Sequence, residues 1–159
     1  MPTVTASLAS GLAVSVTNGT HTWRADEPAD LGGTDSGPSP YELLLGAVAS
    51  CTCITLAMYA RRKELVLTAL EVSYEHDRVH AEDCADCEGD ADAAGRIDHI
   101  RGRVTISGDL TASQRERLAD IAARCPVHRS LERRIAFDDE VTFATACLRA
   151  EGPRRRRRS

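Results

Sequence analysis

The sequence predicts an α+β domain, and three observations carry that reading. Two short alternating stretches flank Asn18-Gly19, the dipeptide that most favours a tight hairpin. A long apolar run follows a helix-start signature at Ser39-Pro40-Tyr41-Glu42. A second pair of alternating stretches and two shorter helical segments come after it, without the regular strand–helix alternation of a parallel sheet.

In chain order, VTASLASGLAVSVT places apolar side chains at alternate positions and, with Asn18-Gly19 and THTWRA, opens the chain as a small antiparallel meander. DEPADLGGTDSGPSP is dense in Gly, Pro, Asp and Ser and is a loop. Pro40 at the first helical position, with Ser39 and Glu42 able to cap reciprocally, starts a helix that runs to Arg61, Arg62 and Lys63. That helix has almost no polar face, so it is expected to be buried on all sides.

ALEVSYEHDRV and HIRGRVTISGDL alternate as strands around the acidic loop HAEDCADCEGDADAAGR and should pair as a hairpin. A second capping box, Thr111 with Gln114, starts a helix through ASQRERLADIAAR. Cys125-Pro126 ends it, because proline disfavours helical backbone in the residue before it. VHRSLERR gives a short further helix, and IAFDDEVTFATACL a final strand with an acidic kink in which Cys147 faces the core.

The chain has 159 residues, 42% hydrophobic and 28% charged, which suits one domain over residues 1–150 with a tail at 151–159. Only 4% of residues are aromatic, so the core relies on aliphatic side chains and a homodimer is expected to complete it. The formal charge is −4, of which residues 154–158 contribute +5, leaving −9 elsewhere; such a body repels nucleic acid. The arginine run follows Gly152-Pro153 and has no apolar residue to pack, as in a solvated end. Neither a signal peptide nor a membrane anchor is visible, so a cytoplasmic location is expected. In that reducing setting six cysteines point to thiol or metal chemistry rather than a disulfide framework.

Cys51 and Cys53 lie two positions apart in the apolar helix and so project about 200° from each other, which prevents them from pairing or sharing a metal. A helical thiol on its own is more often a small apolar filler than a nucleophile, and the residues alone do not choose. Cys125 stands directly before a helix start, where free backbone N–H groups favour a thiolate, and His128 in the first turn is a candidate donor to it; a purely structural cap is the alternative. Cys84-x-x-Cys87 is half of a zinc site, which Cys125 and His128 would have to complete; otherwise the two are an auxiliary thiol pair or unreactive loop residues. His21, His76, His80 and His99 share no ligand spacing, and no phosphate loop, Ser-His-Asp order or HExxH is present.

Three features in order, the loop LGGTDSGPSPYELLL, the helix AVASCTCITLAMYA and the break ARCPVHRSLE, together resemble the OsmC/Ohr family of thiol-dependent hydroperoxide reductases, especially its OsmC-like branch. The resemblance covers nearly the whole chain from Thr20 to the last strand. It implies an OsmC-like fold, with antiparallel strands wrapped around a long buried helix in an intertwined homodimer whose active sites lie at the subunit interface. It also implies a peroxidase cycle without cofactor or metal. A helix cysteine attacks the peroxide oxygen and becomes a sulfenic acid, a second cysteine captures it as a disulfide, and a thiol or dithiol reductant restores both. Counted from Pro40, the family nucleophile falls on Cys51 and the resolving cysteine on Cys125.

The sequence departs from that pattern where the thiolate would be activated. Better-characterised branches carry a glutamate directly after the proline and an arginine in the first strand loop; here position 41 is Tyr, and ASLASGLA has no arginine. Glu42 projects about 100° from the family position. Arg24 is the sole arginine before Arg61, so it is the N-terminal candidate, with the Tyr41 hydroxyl as a possible replacement for the carboxylate. The expected activity is reduction of organic hydroperoxides in oxidative-stress defence. The alternative is a redox-sensing or small-ligand-binding member without peroxidase activity, and a zinc-stabilised module ranks third.

Overall fold

The computed structural model describes residues 2–80, 82, 91–92, 94–132 and 135–142. Its first unit is an antiparallel meander of β1 (Thr5–Leu8), β2 (Val14–Thr17) and β3 (Thr22–Ala25), in the order β1-β2-β3. The turn at Asn18-Gly19 is wider than a two-residue hairpin, because the last paired residues are Thr17 and Thr22. The Asn18 side chain shapes it by accepting from the Thr20 and His21 N–H groups at 3.0 and 2.7 Å, and Gly19 takes a φ of +89°.

The loop that follows is organised by one carboxylate. Asp26 is buried and accepts from the Thr34 hydroxyl (2.5 Å), the Ser36 hydroxyl (2.8 Å), and the N–H groups of Glu27, Thr34 and Ser36. These donors, led by the Thr34 hydroxyl, hold it well below the usual carboxylate range against the opposing effect of burial. The loop also closes on the strand backbone: a Cβ on Gly37 would come within 2.7 Å of the Arg24 carbonyl oxygen.

Helix α1 (Pro40–Arg62) starts at the expected capping box, with the Ser39 N–H donating to Glu42 Oε2 at 2.7 Å and the Glu42 N–H donating to Ser39 Oγ at 3.4 Å. It ends in a Schellman motif in which the Leu65 N–H reaches the Ala60 carbonyl (2.9 Å), the Glu64 N–H reaches that of Arg61 (3.3 Å), and Glu64 sits at a left-handed φ of +55°. The expectation of burial on all sides is corrected. Only Val48, Thr52, Leu56 and Ala60, one stripe at four-residue spacing, are buried, while Ile54 and Met58 are each 58% exposed. The chain's own elements reach only one side of the helix.

β4 (Leu67–His80) and β5 (Arg96–Gly108) form one long antiparallel hairpin, with an irregularity at Thr68. It extends further toward the acidic loop than the alternation suggested, ending where His80 pairs with Arg96. Near that end Asp92 accepts from the Ala94 and Arg96 N–H groups and pairs with Arg78. α2 (Ala112–Ala122) begins at the second capping box, and α3 (Pro126–Leu131) follows the break at Cys125. The core comprises Leu56, Leu110, Leu118 and Ile121, flanked by Tyr59, Leu70, Val104 and Ile106, so it lies where α1, the β4–β5 sheet and α2 meet.

The last expectation is only partly covered. Residues 135–142 carry no strand, and Phe137 and Val141 are exposed at 82% and 75%. A strand needs a partner edge, and among the described residues none pairs with this segment. Residues 143–159, including Cys147 and the arginine tail, and the CxxC residues Cys84 and Cys87 lie outside the described residues.

Candidate active site

Cys51 lies midway along α1, and Cys125 is the residue immediately before α3. The fold packs α3 against α1 and makes the two thiols neighbours that influence each other's titration, although they are far apart in sequence. Both are free thiols, as is Cys53, which faces elsewhere on the helix as its position requires. Cys125 is completely buried and Cys51 is partly exposed.

The two thiols have different surroundings. Burial pushes Cys51 up, and contact with Cys125 adds to this; the Val127 N–H and the Thr55 hydroxyl counter it only in part. For Cys125 burial is the largest single influence and also acts upward. It is outweighed by the His128 N–H, the Thr52 hydroxyl, the Cys51 thiol and the Val127 N–H acting together, so Cys125 is the thiol drawn toward thiolate. Its sulfur also lies 3.9 Å from the Val48 carbonyl oxygen, a weak contact open to the protonated form.

The Thr52 hydroxyl was missed in the sequence. It is fully buried and lies 3.4 Å from the Tyr74 hydroxyl of β4. Tyr74 in turn lies across Gly102, its partner on β5, so closely that a Cβ there would come within 2.4 Å of the ring. The signal was available: Thr52 falls in register with Val48 and Leu56, on the stripe that faces the sheet, where an unsatisfied hydroxyl would be costly.

The other candidate residues are not gathered at the sulfurs. Arg24 is exposed on β3, and its side chain makes no hydrogen bond or ion pair among the described residues. Tyr41 stacks on His76 with ring centroids 4.3 Å apart. The Glu42 carboxylate is taken by the Ser39 N–H, which lowers its pKa and holds it in the cap. His128 serves Cys125 through its backbone N–H. Its ring instead sits edge-on to Tyr74 and places Nε2 3.4 Å from Glu132, while its buried Nδ1 has no partner among the described residues.

Two clefts flank the pair. One of about 540 Å³ lies between β5 and α2 and includes Tyr74 and His128 in its wall. The other, about 670 Å³, runs along the C-terminal half of α1; Thr55 and Pro126, neighbours of the two cysteines, line it with Met58, Tyr59 and three arginines, Arg61, Arg62 and Arg124. Among the described residues no group of three or more His, Cys, Asp or Glu side chains is arranged to hold a metal ion.

Two neighbouring thiols that differ in exposure and acidity are the parts that thiol–disulfide chemistry requires. The chain's fold is similar to that of an OsmC-like protein from Mycoplasma pneumoniae (TM-score 0.64, 19% identity, 83% of this chain and 87% of that one). It is also similar to an organic hydroperoxide resistance protein OsmC from Legionella pneumophila (TM-score 0.59, 18% identity, 82% and 88%). The organic hydroperoxide resistance protein OhrB of Bacillus subtilis matches at a TM-score of 0.55 and 19% identity over 82% and 89%. No curated protein sequence shows significant similarity. Residues 33–139, which include both cysteines and the helices that carry them, match the family described as OsmC-like protein, and the chain belongs to that family.

Proposed function

We propose that this protein is a thiol-dependent peroxidase that reduces organic hydroperoxides through a Cys51 sulfenic acid and a Cys51–Cys125 disulfide. The observation that carries the proposal is the meeting of these two thiols, one partly exposed and one buried, beside a cleft lined by apolar and arginine side chains. Structural neighbours bearing the name organic hydroperoxide resistance protein support the same reading.

In the proposed cycle the Cys51 thiolate attacks the terminal peroxide oxygen; the O–O bond breaks, an alcohol leaves, and Cys51 becomes a sulfenic acid. Cys125 then attacks that sulfur and releases water, and a cytoplasmic thiol or dithiol returns both residues to the reduced state. A homodimer fits the face of α1 left open at Ile54 and Met58.

A second reading, a redox sensor or ligand-binding protein without peroxidase turnover, is favoured by one observation: Cys51 is pushed away from thiolate, and among the described residues no arginine acts on it. Peroxide consumption in the presence of a dithiol separates the two. Turnover that disappears in Cys51→Ser supports the peroxidase, with Cys125→Ser accumulating a sulfenic acid that dimedone traps. Equal, slow consumption by wild type and Cys51→Ser supports the sensor.

A further inference from the structure

The geometry points to a division of labour in the return half of this cycle: Thr52, oriented by Tyr74, makes Cys125 the leaving group of the Cys51–Cys125 disulfide, so that the incoming thiol adds to Cys51. The inference rests on the proposal that these two cysteines form a disulfide.

Access is the first argument. Cys51 is partly exposed, with Thr55 one turn further along α1 in the wall of the cleft, whereas Cys125 is completely buried. Thiol–disulfide exchange requires the attacking, central and leaving sulfurs to be nearly in line, so only a sulfur reachable from solvent can be attacked, and the sulfur behind it departs. Here the reachable one is Cys51.

The second argument is what waits for the departing sulfur. When a reductant thiolate attacks Cys51 Sγ, a new S–S bond forms between them. The Cys51–Cys125 bond breaks, and its electron pair leaves on Cys125 Sγ as a thiolate. That thiolate forms beside Thr52, because Cys125 Sγ lies 3.9 Å from the carbonyl oxygen of Val48, one turn before Thr52 on the same buried stripe of α1, and the N–H groups of Val127 and His128 open the helix that starts at Cys125. Thr52 has a single proton to give. With the Tyr74 hydroxyl 3.4 Å away as donor to Thr52 Oγ1, that proton is free to point at the sulfur. Tyr74 is fixed against Gly102, and Thr52 is fully buried, so the donor stands in place before the charge develops. No comparable set surrounds Cys51, whose donors are the Val127 N–H and the Thr55 hydroxyl. The second thiol of the reductant then attacks the reductant's own sulfur, and Cys51 leaves as a thiolate and is protonated. The titratable groups facing Cys125 are Cys51 on α1, Tyr74 on β4 through Thr52, and His128 on α3.

The test begins from protein oxidised with diamide, so it is independent of reactivity toward peroxide. Brief reaction with glutathione, an acid quench and peptide mapping should place the mixed disulfide on Cys51 at least roughly tenfold over Cys125. In a Cys51→Ser background, thiolate absorbance of Cys125 followed against pH should move up by about one pH unit or more in Thr52→Val, less in Tyr74→Phe, and return in Thr52→Ser. Tyr74→Phe and Thr52→Ser keep the packing should Thr52→Val fold poorly. Glutathione found on Cys125, or a titration unchanged by both Thr52→Val and Tyr74→Phe, would overturn the assignment.

Discussion

At Cys125 several weak donors act on one sulfur. None of them is charged, yet together they reverse the effect of complete burial, which on its own raises a thiol pKa. At Cys51, one helical face away, the donors are fewer and burial prevails. Residues of one type therefore acquire different chemistry from backbone N–H groups and one hydroxyl. The Cys125 half of this was legible in the sequence, because Cys-Pro at a helix start predicts N–H groups directed at the sulfur. The Thr52 hydroxyl was not, since within an apolar run a threonine reads as filler until the facing strand is known to carry Tyr74.

Asp26 gives the residue-scale prediction for pH. Its carboxylate, hydrogen-bonded first by Thr34 and then by Ser36 and Glu27, titrates below its ordinary value of 3.8. A carboxyl depressed by folding contributes stability that is present above the unfolded value and lost as pH falls through the folded one. The loop between β3 and α1 should therefore loosen under acid conditions below about pH 4. In Asp26→Asn it should loosen at neutral pH as well, seen as faster proteolysis within residues 27–38 while the β4–β5 hairpin stays protected.

Among elements, α1 was the best read and the most misread. Both of its ends follow local rules: Ser39, Pro40 and Glu42 set the start, and the cationic last turn marked the finish to within two residues. What the sequence did not reveal is that Glu64 closes the helix in a left-handed conformation, which costs a side-chain-bearing residue about 1 kcal/mol relative to glycine. Glu64→Gly should accordingly raise stability by roughly 0.5–1 kcal/mol in urea titration, with an unchanged m-value. The misreading concerned burial. An apolar circumference shows that a helix needs covering, but not which chain provides the cover. The β4–β5 hairpin was placed correctly and drawn too short, because His80 and Arg96 pair through backbone groups that alternation does not register.

For the whole molecule, the uncovered side of α1 and the sparse aromatic content have the same consequence. Leu56, Leu118 and their neighbours fill one side of the helix, and Ile54 and Met58 stand exposed on the other, the face that the proposed homodimer would cover. Met58→Glu should convert a dimer to a monomer in light scattering, with a loss of stability of about 2 kcal/mol or more at micromolar concentration, because a carboxylate cannot be buried in such an interface without a partner. A wild-type protein that is monomeric at tens of micromolar would remove the proposed assembly while leaving the thiol pair within one chain intact.

The central claim is that Cys51 and Cys125 form one redox unit driven by peroxide. It is tested most directly by adding one equivalent of an alkyl hydroperoxide to the fully reduced protein, blocking remaining thiols in acid, and mapping disulfides by mass spectrometry. The account predicts a Cys51–Cys125 linkage within each chain and a free Cys53. Thiols that all remain reduced, or a linkage that omits Cys51, would contradict it.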